Sequence, residues 1–192
     1  MVTTEQIKEL RDKTGISVMQ CKKALEDAGG DMDKAIVLLR KKGADVAAKK
    51  ADRVFGSGVV RSYVHSNGRV GAMVTLLCET DFVANNDIFK ILAYDIAMQV
   101  TATNPEYLKK EDIPEQAKKS ATEAFVKEVS EKPKAMQTKI MEGKLASYFK
   151  EKTLLEQPFI KNDELTIADL IRDAIQKFGE KIEIGKIVRF VV

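Results

Sequence analysis

Two stretches of alternating residues flank the dipeptide Asn67-Gly68. In residues 60–65, small or β-branched side chains alternate with larger polar ones, and residues 70–78 alternate again after the dipeptide. Alternation with a period of two is typical of β-strands, and Asn-Gly between two such runs is a strong signal for a two-residue hairpin. The sequence therefore predicts an antiparallel strand pair, which any fold assigned to this chain must include.

The second of these strands carries apolar residues on both faces. One face would be formed by Val70, Ala72, Val74, Leu76 and Cys78, and the other by Met73, Thr75 and Leu77. Strands that are apolar on both faces are usually covered on both sides, so we expect two-sided burial here. Residues 182–192 alternate once more, and the sequence thus predicts a sheet of about three antiparallel strands.

Residues 1–43 predict three short helices instead, because apolar residues recur there at three- and four-residue steps. Two capping boxes are expected, formed by Thr3 with Gln6 and by Ser17 with Gln20. Asp31 is placed to cap the third helix, and Gly43 is expected to end it. These signals together predict a compact three-helix bundle at the start of the chain.

The later residues predict further helices that pack on the sheet. A core-facing helix would bury Phe89, Leu92, Ala93, Ile96, Ala97 and Val100. A helical hairpin is expected at about 112–151 and an extended connector at 154–159. The last helix would be capped by Thr166 with Asp169 and would end near Phe178.

These elements predict an α+β fold in three parts. Residues 1–43 form the bundle, and residues 44–55, rich in Ala and charge, form a helical linker. Residues 56–192 form the core α+β domain, which includes the helical hairpin. A length of 192 residues is sufficient for such a core.

Composition narrows the classes of function. The chain has 32 basic and 29 acidic residues, a balance that does not favour direct nucleic-acid binding. It has no apolar run near the roughly 18 residues that span a membrane, and its first residues do not resemble a secretory signal. We therefore expect a cytoplasmic protein without a membrane segment.

The sequence offers little for catalysis or for a metal. It contains two cysteines and one histidine, and it has no phosphate-binding Gly-rich loop. Cys78 is predicted to be a small core residue, whereas Lys22 and Lys23 could lower the pKa of Cys21. Neither thiol has an identifiable base partner, so we expect no enzyme activity, no cofactor and no metal.

Residues 78–86 read CETDFVANN and lie between the second strand and the core-facing helix. Two interpretations of this segment are open. Asp81 could cap a short helix while Phe82 packs in the core, or Phe82 could be an anchor for another protein. The physical chemistry of the segment alone favours the first interpretation.

Several strings together resemble the elongation factor Ts family. They are RDKTGISVMQCKKAL (11–25), Gly30-Asp31, Arg40-Lys41-Lys42-Gly43, CETDFVANN, DIAMQV (95–100) and LLEQPF (154–159). They occur in the family's order over nearly the whole chain. The resemblance implies that the N-terminal bundle is similar to ubiquitin-associated domains.

The resemblance also implies a function, guanine-nucleotide exchange on elongation factor Tu in translation elongation. The family's motif enters the nucleotide-binding domain of Tu and disturbs its magnesium and its phosphate-holding loop. Carried over by motif, the residues that do so are Thr80, Asp81, Phe82 and Val83. A second partner contact would come from Met19, Cys21, Lys22 and Lys23.

Oligomeric state and two rival functions remain as hypotheses. Longer members of the family carry two core units, whereas this sequence predicts one, so we expect a homodimer. One rival is a ubiquitin-associated-like scaffold that binds helices without exchanging nucleotide. The other is a thiol-dependent enzyme that uses Cys21 or Cys78. The resemblance assigns no residue of the helical hairpin to a partner.

Overall fold

The computed structural model describes residues 2–130 and 133–192 and has the predicted α+β fold. Its helices are α1 (Thr4–Thr14), α2 (Val18–Asp27), α3 (Met32–Lys49), α4 (Asp81–Ala84), α5 (Asp87–Thr103), α6 (Glu115–Ser130), α7 (Lys134–Lys152) and α8 (Ile167–Phe178). Its strands are β1 (Ser57–Val64), β2 (Val70–Cys78), β3 (Pro158–Phe159), β4 (Asn162–Thr166) and β5 (Glu183–Val191).

Helices α1 to α3 form the N-terminal bundle with a small core of its own. The capping box of Thr3 and Gln6 is present, and Ser17 accepts a hydrogen bond from the Gln20 N–H at 3.4 Å. Asp31 caps α3 through the Lys34 N–H at 3.0 Å. The buried side chains are Leu10, Ile16, Cys21, Ala24, Leu25, Ala35 and Leu39.

The expected end of the third helix at Gly43 is wrong, because α3 continues through Gly43 to Lys49. A Cβ atom at Gly43 would lie 3.2 Å from the Arg172 carbonyl oxygen and 3.1 Å from Gln176 Oε1, both on α8. The glycine thus allows α3 to pack closely against α8. The division into 1–43, 44–55 and 56–192 stays a prediction, and α3 crosses its first boundary.

The main sheet has three antiparallel strands in the order β1-β2-β5, as predicted. Helix α5 packs against β1 and β2, where Val74 and Leu76 are fully buried. On the opposite face, Met73 is 47% exposed and Thr75 and Leu77 are only half-buried. The expectation of two-sided burial for β2 is therefore wrong, because α5 covers one face only.

The predicted core-facing helix is α5, and its Gln99 side chain organises the segment that follows α7. Gln99 Nε2 donates to Gln157 Oε1 at 3.1 Å and to the Pro158 carbonyl at 3.1 Å. The Ile160 N–H donates to Gln99 Oε1 at 2.9 Å. The expected connector at 154–159 is thus a 3-10 turn followed by β3, which pairs with β4 in a second hairpin.

Helices α6 and α7 pack against each other as the predicted helical hairpin. The residues expected between them, Glu131 and Lys132, lie outside the described residues.

Helix α8 begins at the predicted capping box of Thr166 and Asp169 and ends at Phe178, with Gly179 in the left-handed conformation. In the described part of the chain, no helix combines the length and the apolar character that crossing a membrane requires.

Candidate protein-binding site

The segment CETDFVANN forms the end of β2, the short helix α4 and the turn into α5. Thr80 has extended backbone angles, and its hydroxyl accepts a hydrogen bond from the Val83 N–H at 3.5 Å. Thr80 is therefore the N-cap, and Asp81 is the first helical residue. The interpretation in which Asp81 caps the helix is wrong.

Adjacent residues of this helix face opposite environments. Val83 and Ala84 are buried in the main core, whereas 83% of the Phe82 side chain is exposed. A large exposed aromatic side chain next to two buried residues forgoes the free energy of burial, which is about 2 kcal/mol for a residue of this size. The interpretation that places Phe82 in the core is wrong, and Phe82 is free to contact another molecule.

The carboxylate next to Phe82 is held in place by the first strand. Ser57 Oγ donates a hydrogen bond of 2.6 Å to Asp81 Oδ1. Asp81 is itself exposed, so the surface at α4 presents a negative charge directly beside an aromatic ring. Such a pair combines an apolar anchor with a group that interacts with cations or with phosphate-bound magnesium.

A second carboxylate, from the loop after α8, holds the residues that lead into α4. Glu180 Oε2 accepts the backbone N–H groups of Glu79 at 3.0 Å and of Thr80 at 3.1 Å. Glu180 Oε1 accepts the Thr80 hydroxyl at 2.5 Å. Three donors thus converge on one carboxylate, which fixes the entry of the chain into α4.

Glu79, just before α4, in turn accepts hydrogen bonds from the α8 loop and from Arg53. Its Oε1 accepts the Lys181 N–H at 2.6 Å, and its Oε2 accepts Arg53 Nη1 at 2.7 Å. Burial opposes ionisation of Glu79, but these hydrogen bonds and the nearby Lys50 ammonium bring its pKa below the ordinary value. Glu79 therefore stays ionised and links the motif both to the α8 loop and to the residues after α3.

Sequence reasoning missed Ser57, Glu79 and Glu180 as parts of this site. Glu180 is 100 residues away from Thr80 in the chain. No local spacing rule connects two residues at that separation, and acidic residues are common throughout the sequence. The antiparallel pairing of β5 with β2, in which Glu183 lies opposite Leu77, brings the loop with Glu180 to the end of β2.

The second predicted set of residues lies on α2, in the N-terminal bundle. Met19 is 83% exposed, and Lys22 and Lys23 are exposed as well. Cys21 is different, because it is fully buried and its Sγ donates to the Ile16 carbonyl at 3.6 Å. The prediction that Cys21 contacts a partner is therefore wrong for the side chain, while the roles of the other three stay predictions.

Both thiols lie in the interior. Burial raises the pKa of the Cys21 thiol, an effect that outweighs the hydrogen bond from Thr14. The expectation that Lys22 and Lys23 lower this pKa is wrong. Burial also raises the pKa of Cys78, and the Glu180 carboxylate adds to the effect. Both shifts disfavour the thiolate that a nucleophilic cysteine needs.

The site contains no metal-binding arrangement that the structure reveals. Within residues 2–130 and 133–192, no group of three or more His, Cys, Asp or Glu side chains is placed to hold a metal ion. The two candidate sets also remain separate, one on α2 and the other on α4. Fold and site together define an α+β protein with a three-helix bundle that presents an exposed Asp-Phe pair at the end of its sheet.

Comparison with known proteins identifies the family. Residues 4–192 match the family model described as Elongation factor TS. The chain is 50% identical to Elongation factor Ts of Carboxydothermus hydrogenoformans, over 99% of this chain and 88% of the relative. It is 48% identical to that of Thermodesulfovibrio yellowstonii, over 100% and 96%, and 44% identical to that of Thermotoga petrophila, over 100% and 96%.

The chain belongs to the elongation factor Ts family, a group of translation elongation factors. The resemblance noted in the sequence is thereby confirmed.

Proposed function

We propose that this protein is the guanine-nucleotide exchange factor of elongation factor Tu and that it acts in the cytoplasm. The observation that carries the proposal is the 83% exposure of Phe82 beside Asp81 in the family's motif. Membership of the elongation factor Ts family supports the choice of partner. The activity requires contact with a protein and no direct contact with nucleic acid.

The proposed mechanism is displacement, without any covalent step on the nucleotide. Phe82 enters an apolar pocket in the nucleotide-binding domain of Tu, and Asp81 arrives beside the magnesium and phosphate groups. Magnesium requires near-ideal octahedral geometry, so a small shift of its supports weakens its binding. Without magnesium the diphosphate charge is poorly neutralised, and GDP dissociates.

Binding equilibria then give the direction of exchange. The exchange factor and the nucleotide each weaken the binding of the other to Tu. The two affinities fall by the same ratio, because the coupling between two sites is reciprocal. The complex of the three therefore releases GDP, and GTP later displaces the factor. None of these steps requires a thiolate or a bound metal on the exchange factor itself.

The N-terminal bundle supplies the second contact through α2. Met19 offers an exposed apolar side chain, and Lys22 and Lys23 add positive charge on the same helix. Exposed charges at the edge of an interface mainly accelerate association. We infer that this contact docks the protein on Tu and that α4 acts after docking.

A chase experiment tests the exchange function. Tu is loaded with fluorescent GDP and mixed with excess unlabelled nucleotide, with or without this protein. We expect strong acceleration by the native chain and loss of most of it in the Asp81→Ala/Phe82→Ala variant. Folding is checked by thermal melting, and binding to nucleotide-free Tu is checked by calorimetry.

The matched control is the variant Asp87→Ala/Ile88→Ala, which removes another acidic and apolar pair close by in the chain. The Asp87 side chain is 93% exposed and Ile88 is 48% exposed, so folding should tolerate both changes. The control should retain native acceleration. If the native chain does not accelerate release from competent Tu, the scaffold hypothesis replaces exchange.

We further propose that the protein forms a homodimer through the outer face of its sheet. This face is opposite α5 and carries several exposed apolar side chains. They are Val60, Val64, Met73, Val188 and Phe190, with exposed fractions of 54%, 64%, 47%, 47% and 65%. A second copy would cover the same patch by two-fold symmetry and would supply a second core unit.

Light scattering over a concentration series tests the dimer. The native chain should have twice the mass of one chain, and Phe190→Glu should shift it toward the monomer because a charge would be buried at the contact. Val37→Glu is the control, since Val37 is 62% exposed on α3, away from the sheet. A monomeric native chain at working concentrations contradicts the proposal.

A further inference from the structure

Helix α4 is too short to hold its own orientation. It has four residues, and an isolated helix of fewer than about 12 residues is only marginally populated in water. Val83 and Ala84 anchor one side of it in the core. The direction in which Asp81 and Phe82 are presented must therefore depend on the contacts at the start of the helix.

Ser57 on β1 supplies one of those contacts, and three hydrogen bonds come from the loop that follows α8. Glu180 receives the N–H groups of Glu79 and Thr80 and the hydroxyl of Thr80, at 3.0, 3.1 and 2.5 Å. Hydrogen bonds to an ionised acceptor are roughly twice as strong as neutral ones. The same Thr80 hydroxyl caps α4, so Glu180 acts on the residue that sets the helix direction.

Glu79 extends this connection to the residues that follow α3. It bonds to the Lys181 N–H and to Arg53, while Lys181 Nζ donates to the carbonyls of Ala51 at 2.6 Å and of Arg53 at 3.1 Å. Lys50 Nζ in turn donates to the Gly179 carbonyl. The end of the N-terminal bundle, the α8 loop and the start of α4 thus form one hydrogen-bonded junction.

We propose that Glu180 is a positioning residue for nucleotide exchange, which orients α4 so that Phe82 and Asp81 are presented in one direction. This inference rests on the proposed exchange function. Glu180 acts through Thr80 and touches neither the nucleotide nor the pocket of the partner. Its loss should slow the displacement step and leave the docking of the bundle intact.

The three contacts favour a carboxylate at position 180. Both oxygens of Glu180 accept hydrogen bonds, and all of its described partners at α4 are donors. In Glu180→Gln the remaining oxygen can still accept both N–H groups and the NH2 group can donate to the Thr80 hydroxyl, so the bonds lose their charge assistance but are kept. In Glu180→Ala all three bonds are lost. The structure therefore predicts a graded loss, smaller for Gln and larger for Ala.

The first measurement is independent of exchange. Hydrogen exchange of the Glu79 and Thr80 amides, measured by NMR, reports directly on the bonds to Glu180. We expect both amides to exchange about tenfold faster or more in Glu180→Ala, and less so in Glu180→Gln, while amides of the N-terminal bundle keep their native rates. Native rates at Glu79 and Thr80 would overturn the proposal, whatever the exchange assay gives.

The second measurement is the GDP chase at increasing concentrations of the factor. For Glu180→Ala we expect the maximal release rate to fall about tenfold, with a smaller fall for Glu180→Gln, and the half-saturating concentration to stay within about twofold of native. The control is Glu183→Ala, because Glu183 is the first residue of β5, its side chain is 57% exposed, and its described ion pair is a 3.7 Å contact with Lys181. The control should retain the native maximal rate.

The outcomes separate this inference from the proposed function. If the native chain gives no acceleration, the exchange function fails and the positioning role fails with it, while the amide data still decide whether Glu180 orders the loop. If the native chain is active and Glu180→Ala speeds hydrogen exchange of the two amides without lowering the maximal release rate, the positioning role is overturned. Glu180→Gln keeps the test possible if Glu180→Ala does not fold.

Discussion

Met19 on α2 and Phe82 on α4 occupy equivalent local positions. Each is the second residue of its helix, each follows a hydroxyl cap, and each is 83% exposed. Ser17 accepts the Gln20 N–H in one helix, and Thr80 accepts the Val83 N–H in the other. The two helices thus present an exposed apolar side chain at the same position relative to the cap.

The two helices differ in what holds them. Helix α2 has ten residues, and its buried side chains Cys21, Ala24 and Leu25 belong to the core of the bundle. Helix α4 has four residues and is tied to distant parts of the chain by Ser57 and Glu180. Met19 is therefore presented by a local module, whereas the presentation of Phe82 depends on the packing of the whole core domain.

The largest effect is expected inside the motif. Substitution of Phe82 should reduce exchange, whereas substitution of its neighbour Val83 should reduce stability. Phe82→Ala should lower exchange about 30-fold, roughly 2 kcal/mol, with little change in melting temperature because the side chain is exposed. Val83→Ala should lower the free energy of unfolding by about 2 kcal/mol, because it empties a buried position. The chase assay and thermal melting measure the two effects, and equal destabilisation by both variants would contradict the assignment.

The caps should show the next largest effect. Ser17→Ala and Thr80→Ala should each reduce the free energy of unfolding by about 1 kcal/mol, the usual contribution of a hydroxyl cap. Only Thr80→Ala should also slow exchange, because it removes a bond to Glu180. Urea titration and the chase assay distinguish the two variants. Equal loss of exchange in both would mean that α2 and α4 are held in the same way.

A smaller effect is expected at Met19. Met19→Ala should raise the half-saturating concentration of the factor about threefold, since a single exposed side chain at a docking contact contributes less than a buried anchor. Its effect on the maximal release rate should be smaller than that of Phe82→Ala. A titration of the chase rate measures both values. A larger fall in maximal rate for Met19→Ala would reverse the roles of the two helices.

The smallest effect is expected when the pH is lowered far enough to protonate Glu79. The pKa of Glu79 is below its ordinary value, because its hydrogen bonds and cationic neighbours outweigh the opposing effect of burial. The stability from its ionised form is present above the ordinary pKa and is lost as the pH falls through the folded pKa. Between about pH 5 and pH 3, protection of the Lys181 amide should fall, and protection of the Gln20 amide, bonded to neutral Ser17, should not. Equal changes at both amides would contradict this difference.

Local signals in the sequence were reliable where neighbours in the chain are also neighbours in space. The antiparallel pairing of β1 and β2, the capping boxes at Thr3 and Thr166, and α5 follow from spacing alone, and the structure confirms them. The two-residue turn predicted at Asn67-Gly68 is wrong, because the His65 N–H bonds to the Val70 carbonyl and Gly68 alone of the two is left-handed, which makes the loop four residues long. Gly43 was misjudged because glycine ends helices and also permits close helix packing, and the sequence does not show that α8 lies beside it. Two-sided burial of β2 was misjudged because the sequence of a strand does not show whether helices cover one face of its sheet or both.

The sequence by itself determined the family, the α+β class and the motif that contains Phe82. These depend on residue identity and on short-range periodicity, which a single chain displays directly. Only the tertiary structure decided that Phe82 is exposed, that Cys21 is buried, and that Glu180 holds Thr80. Exposure and hydrogen bonding between residues about 100 positions apart depend on which surfaces pack together, and that is a property of the whole core rather than of any segment.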